Sequence, residues 1–164
     1  MSKKGGFTFE GLDEYLAQLR QLADVQPIAK KALEEAAVEL EAAMREEIER
    51  IPERSARNGK GKLVGLLKSD KDDLLRNLGT TPVKAGRGGE INVKVGFWGG
   101  YGRRKTRKWS QGIPVQLTAA ALNKGTQWLQ AYPFVRRALK RAQARAEQTI
   151  KEVFDSEIEK IMKG

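Results

Sequence analysis

The side chains that could carry out chemistry in this chain are carboxylates, lysines and hydroxyls. Cysteine and histidine are both absent from its 164 residues. The chain therefore has no thiol nucleophile, no thiolate or imidazole metal ligand and no imidazole general base. We expect a protein that is not a metal or thiol enzyme.

Two stretches are rich in carboxylates. Asp70, Asp72 and Asp73 follow Ser69 and could bind a divalent cation. The Ser-x-x-Asp pattern is typical of a helix start. These carboxylates are therefore better explained as charges of the first turn, which the helix dipole stabilises, than as metal ligands. The second stretch holds seven glutamates between Glu34 and Glu49. They lie on the solvent flanks of another predicted helix, and no spacing pairs them across a pocket.

The net charge of +10 is concentrated in one region. Between Ile91 and Ala146 there is no Asp or Glu, and twelve of the 31 Lys and Arg lie there. The rest of the chain has 19 cations against 21 carboxylates. Charge this one-sided indicates a polyanionic partner, either nucleic acid or an acidic protein surface, rather than a merely solvated face.

Five of these twelve cations lie in a predicted mobile loop at about 98–112. Five of six consecutive positions are cations: Arg103, Arg104, Lys105, Arg107 and Lys108. Trp98, Tyr101 and Trp109 flank them as candidate interface or core anchors. Glycine, aromatic and basic residues together are typical of base stacking in nucleic-acid binding, and also of an arm that orders on a partner protein. Both interpretations stay open, and repulsion among the cations predicts mobility in the free protein.

Apolar residues recur at helical spacing in three places. The first helix spans 12–22, after a short β segment at 7–9, and the second runs from Leu33 to Ile51. The third is a long C-terminal helix that begins at Pro133 and extends to Ile161. Its apolar stripe is longer than a small core needs, which predicts an oligomer contact.

The remaining elements are short. The segments 80–84 and 91–97 read as strands joined by a glycine-rich turn, so they predict an antiparallel hairpin. A polar segment at about 53–65 predicts a second mobile loop. A short alanine-rich helix at 118–123 ends where Gly125 follows it. We expect one α+β domain over 1–164, and no apolar stretch is long enough to span a membrane.

The order of these parts resembles the phage neck and tail-completion family, small proteins that act where head and tail of a long-tailed phage join. The motifs that carry the likeness are Gly11-Leu12-Asp13-Glu14 at the first helix, Val93-Lys94-Val95-Gly96-Phe97 at the end of the hairpin, Lys124-Gly125-Thr126, and Tyr132-Pro133-Phe134 before the last helix. The likeness covers 7–160. Many relatives have Glu at the position of Lys124 and Arg at the position of Tyr132.

The resemblance implies an α+β fold, a small antiparallel sheet with a long helix packed across it, extended loops and a long C-terminal helix. It also implies a non-catalytic, homo-oligomeric ring in the neck of the virion, made in the bacterial host cytoplasm. Its partners would be further copies of itself, head-completion or adaptor proteins, tail-terminator or tail-tube proteins, and packaged DNA in the channel. No cofactor or membrane is implied.

The short motif has a physical explanation within this resemblance. Gly125 permits a positive φ after a helix end, and Thr126 accompanies it. Pro133 sets the entry to the last helix, and Phe134 is an apolar anchor for the core or a subunit interface.

Two other functions fit parts of the sequence. A non-specific nucleic-acid-binding protein would explain the charge, although no base-reading motif is present. A hydrolase using Asp70, Asp72 and Asp73 would need a pocket that the sequence does not suggest.

Overall fold

The structure, a computed structural model, describes residues 25–54 and 57–163. Four helices occur in these ranges: α1 (Gln26–Glu49), α2 (Lys68–Asn77), α3 (Val115–Lys124) and α4 (Phe134–Lys163). The predicted β segment at 7–9 and helix at 12–22 lie outside the described residues. None of the helices in the described ranges is both long enough and apolar enough to cross a membrane.

Four short strands complete the fold: β1 (Leu78–Thr80), β2 (Lys84–Ala85), β3 (Ile91–Asn92) and β4 (Val95–Phe97). Strand β2 pairs antiparallel with β3, and β1 lies beside β4. The α+β class and the hairpin are therefore confirmed.

The hairpin strands are shorter than expected. Pro82 interrupts the first one, because it has no N–H to donate to the partner strand. At the interruption, the Thr81 N–H donates to the Lys94 carbonyl at 2.8 Å, and the Lys94 N–H donates to the Thr81 hydroxyl at 3.0 Å.

The chain divides into two compact units. Among the described residues, the first unit holds 25–40, 80–95 and 142–163, and the second holds 41–79 and 96–141. The single domain expected from the length stays a prediction. Helices α1 and α4 each contribute residues to both units. With 24 and 30 residues, these helices are about 36 and 45 Å long, which exceeds the ~30 Å diameter of a small domain.

The core of the first unit is built from α1 and α4. Small residues of α1, including Ala29, Ala32 and Ala36, pack with Ile150 and Phe154 of α4. Small side chains allow two helices to approach closely. The hairpin residues Val83, Ile91 and Val93 pack against this cluster, as the alternation predicted for the last two.

The end of α4 carries both an ion pair and an exposed apolar tip. Hydrogen bonds from Lys160 and Lys31 lower the pKa of the Glu157 carboxyl to about 2, and the Lys31 bond (2.7 Å) joins α1 to α4. Beyond this point Ile161 and Met162 are exposed, so the stripe does extend past the core. The oligomer contact expected there stays a prediction.

The core of the second unit is centred on Phe134. This side chain is fully buried, together with Ile48, Leu74 and Leu122, and its ring meets Phe97 edge to face at 6.1 Å between centroids. Phe134 was expected in the core or at a subunit interface, and the structure assigns it to the core.

Replacing Phe134 with Ala should lower the free energy of unfolding by about 3–5 kcal/mol, because a large buried ring leaves a cavity. Chemical denaturation measures this as a lower midpoint with an unchanged slope. The control is Leu117→Ala, an exposed position in the same unit, which should stay within about 0.5 kcal/mol of the parent. A Phe134→Ala variant as stable as the control would contradict this account of the core.

Candidate partner-binding surface

Nearly all the net charge of the chain belongs to the second unit. Its residues include 19 Lys and Arg against eight Asp and Glu, whereas the rest of the chain has twelve against thirteen. Three of the eight carboxylates, Glu47, Asp70 and Asp73, are buried. A buried carboxylate needs a cationic or hydrogen-bonding partner, so these three determine which cations are held within the fold.

Asp73 of α2 anchors the start of the basic loop. Its Oδ2 accepts a hydrogen bond from the Arg103 backbone N–H at 2.7 Å, and its Oδ1 lies 3.4 Å from Arg103 Nε and 3.5 Å from Arg76 Nη2. The backbone of Gly102 passes so close that a Cβ there would lie 3.0 Å from Asp73 Oδ2. One carboxylate therefore holds two arginines and a backbone amide.

Asp70 holds the next arginine. Arg104 Nε donates a hydrogen bond to Asp70 Oδ1 at 3.2 Å, and Arg104 Nη2 forms an ion pair with Oδ2 at 3.0 Å. No group of three or more carboxylates that could hold a metal ion occurs in the described ranges. The alternative of a divalent-cation site at the aspartate trio therefore has no geometric support in that part of the chain.

The predicted Ser-x-x-Asp helix start is wrong in detail. Helix α2 begins at Lys68, its N-cap is Leu67, and no side chain caps it, although Asp70 does lie in the first turn. The helix begins one residue before Ser69, so Ser69 lies inside it and cannot be its N-cap. Asp70 and Asp73 bind arginines of the basic loop, 34 and 30 residues further along the chain.

The five cations proposed to contact a partner therefore fall into two sets. Arg103 and Arg104 are held by α2, whereas Lys105, Arg107 and Lys108 are exposed. Between Thr106 and Trp109 the backbone closes a turn with bonds of 3.1 and 3.0 Å, and the Ile113 N–H donates to the Arg104 carbonyl at 3.0 Å. Mobility of the free loop stays a prediction, but its two ends are held.

The aromatic anchors lie near the N-terminal end of α3. Tyr101 pairs with Pro114 directly before this helix, and the Gln116 side chain donates to the carbonyl of Phe97, next to Trp98. Trp98, Tyr101 and Leu117 are all exposed, Tyr101 by 57%. We call these three residues the aromatic patch. Trp109, the third anchor proposed from the sequence, is half-buried, and Lys108 lies 5.7 Å from its ring centre.

The glycine-threonine motif follows the other end of α3. Gly125 has a φ of 75°, as predicted, and a Cβ there would lie 2.9 Å from the Ala131 nitrogen. The Thr126 hydroxyl accepts the N–H groups of Trp128 (3.1 Å) and Leu129 (3.0 Å). The result is a tight loop that presents Trp128, 64% exposed. We call residues 125–131 the Trp128 loop.

The polar segment at 53–65 supports the Trp128 loop. Its Leu63 N–H donates to the Trp128 carbonyl at 2.7 Å, and its carbonyl accepts the Gln130 N–H at 2.9 Å. The Asn58 side chain adds a bond to Gln130 and Lys62 one to Thr126. The mobility expected of this segment stays a prediction, but its described residues are tied to the motif.

Pro133 and Phe134 lie where the chain enters α4 after α3. Helix α4 begins at Phe134, and the Pro133 carbonyl accepts the Arg137 N–H at 3.1 Å. Asn123, near the end of α3, accepts the Val135 N–H on its side-chain oxygen at 3.3 Å. The motif residues therefore determine the local fold of the second unit, and the side chain that they leave exposed is Trp128. These residues are Gly125, Thr126, Pro133 and Phe134.

Trp128 was not selected from the sequence. A large aromatic directly after Gly125 and Thr126, in a polar stretch between two helices, was the available signal. No protein-family model, curated protein or solved structure matches this chain.

Asp73→Ala should lower the free energy of unfolding by about 1.5–3 kcal/mol, because a hydrogen bond to a charged group and two ion pairs are lost and the loop is released. The control is Asp72→Ala, a neighbouring carboxylate that is only half-buried. Proteolysis in the basic loop should also become faster in the Asp73 variant alone. Equal stability and equal cleavage in the two variants would show that Asp73 does not anchor the loop.

Proposed function

We propose that this chain is a structural, non-enzymatic protein of the neck of a long-tailed bacteriophage. In this role it forms a homo-oligomeric ring between the DNA-filled head and the tail. Its partners are copies of itself, a head-completion or adaptor protein, and a tail-terminator or tail-tube protein. The likeness in motif order supports the proposal, and so do the surfaces of the second unit.

The observation that carries the proposal is the position of two exposed aromatic surfaces at opposite ends of α3. This helix has 10 residues and is therefore about 15 Å long. The aromatic patch lies at its N-terminal end and the Trp128 loop follows its C-terminal end. One tryptophan side chain cannot reach across that distance, so a chain cannot cover its own patch with Trp128.

A second copy can make this contact. When one surface of a subunit binds a different surface of the next, the contact repeats, and it closes into a ring if the rotation allows. Tryptophan and tyrosine are common among the residues that dominate binding energy at protein interfaces. Backbone hydrogen bonds support both surfaces, which lowers the entropy cost of association.

Trp128→Ser should leave the fold intact and prevent ring formation, because the side chain is mostly exposed and serves the contact between subunits. Cross-linking of particles assembled with the variant should give monomers where the parent gives closed oligomers. The control is Val38→Ser, which is 66% exposed in the first unit. Closed oligomers of the Trp128 variant, at parental yield, would refute this contact.

The exposed cations of the basic loop give a second test. Changing Lys105, Arg107 and Lys108 to Ser leaves Arg103 and Arg104 in place, so the loop keeps its anchors. We expect heads and tails that no longer join, because aromatic residues flank these cations and indicate a protein neighbour. The control changes Lys84, Arg87 and Lys151, three exposed cations of the first unit, to Ser.

The readouts of this test are head–tail joining and DNA retention in filled heads. Leakage of DNA from joined particles would assign the loop to the channel instead of a protein neighbour. Normal joining and normal retention would show that these cations are only solvated.

The second candidate is a non-specific nucleic-acid-binding protein. The excess of cations in the second unit favours it. It differs from the neck proposal in requiring no closed ring, so the Trp128 experiment separates the two.

A further inference from the structure

A cleft of about 370 Å³ lies in the second unit beside the first two turns of α4. Its lining contains four cations, one carboxylate and one aromatic ring: Arg50, Arg137, Lys140, Arg141, Glu47 and Tyr132. None of these residues belongs to the basic loop or the aromatic patch. The cleft is therefore a separate concentration of positive charge.

Two of the four cations are held by the protein. Glu47 is buried, with Oε1 2.9 Å from Arg141 Nη2 and 3.5 Å from Arg50 Nη1. Arg141 Nη1 also lies 3.1 Å from Glu46 Oε2. These pairs give the wall of the cleft a defined geometry and balance part of its charge.

The other two cations have no carboxylate partner in the part of the chain that the structure describes. The Arg137 guanidinium lies over the Tyr132 ring, with its carbon 4.3 Å from the ring centre. Stacking restrains a guanidinium while its N–H groups stay available at the edge for an anion. Lys140 follows three residues later, so both side chains lie on the same face of α4, about 5–6 Å apart at Cβ.

We propose that this cleft binds phosphate groups of a nucleic-acid backbone, with Arg137 and Lys140 as the contacting residues. Glu47 acts as a positioning residue through Arg50 and Arg141. The lining offers cationic donors and one tyrosine. Contacts to phosphate oxygens carry no sequence information, so binding is independent of base sequence.

A regularly charged polymer suits this surface better than an acidic protein segment does. The whole second unit has eleven more cations than carboxylates, and a continuous polyanion engages such a field along its length. The proposal rests on the second unit alone. Phosphate binding in the cleft can therefore be tested independently of ring formation.

The test measures binding of a duplex of about 20 base pairs, of mixed sequence, to the full chain at roughly 50–200 mM salt. The cleft variant is Arg137→Gln with Lys140→Gln. The control variant is Lys84→Gln with Lys151→Gln, which removes the same charge from exposed positions of the first unit. All four side chains are exposed, and thermal melting checks that both variants stay folded.

The expected result is a shallower salt dependence in the cleft variant only. The log–log slope should fall in magnitude by about 1.8, since each phosphate contact contributes about 0.9. Tyr132→Leu should weaken binding in the same direction while Tyr132→Phe keeps the parental affinity, because only the ring is needed for stacking.

Three results would overturn the proposal. Equal losses in the cleft and control variants would mean that only overall charge matters. Parental binding by the cleft variant would mean that the cleft is not used. Poly-glutamate that binds the parent as tightly as DNA, and loses binding in the cleft variant, would assign the cleft to an acidic protein.

Discussion

The excess of positive charge in the second unit is the constraint on which the surface of this protein depends. Its 19 cations face only eight carboxylates, and three of those are buried. Burial of a carboxylate is tolerated when cations pair with it, and here each of the three holds one or two arginines. The held residues are Arg50, Arg76, Arg103, Arg104 and Arg141. These pairs give five arginines a structural role. The cations that we propose for a partner have no carboxylate partner among the described residues: Lys105, Arg107 and Lys108 in the loop, and Arg137 and Lys140 in the cleft.

The backbone of the same unit arranges its aromatic surfaces. The loop after α3 depends on the positive φ of Gly125 and on the Thr126 hydroxyl, which accepts backbone N–H groups. Phe134 is buried in the core and holds the start of the next helix there. These residues hold Trp128 at one end of α3 while the aromatic patch lies at the other. In our proposal, this separation lets identical subunits associate head to tail.

The sequence predicted the parts of the fold that depend on local periodicity. The apolar stripes of α1 and α4 are long, and Pro52 and Pro133 mark one end of each helix, so their existence followed from spacing alone. The positive φ at Gly125 followed from the helix break before it. The strands were less predictable, because Pro82 interrupts one side of the hairpin while the alternation at 91–97 on the other side is continuous.

The candidate site was less predictable than the fold. The pairs of Asp70 and Asp73 with Arg104 and Arg103 join residues 30 or more positions apart, and no local pattern reveals them. The cleft could not be predicted from the sequence either, because it depends on an ion pair between Glu47 and Arg141, which lie on separate helices. Repulsion among five cations was the sequence argument for a mobile loop, and that mobility stays a prediction. That two buried aspartates hold the first two arginines was not predicted.

The central claim is that this chain forms a ring on the axis of a phage particle. Electron cryo-microscopy of particles that contain the chain tests it most directly. The account predicts a closed ring between head and tail, with the Trp128 loop of each copy on the aromatic patch of the next. Particles that carry the chain off the axis, or as separate copies that form no ring, would contradict the account.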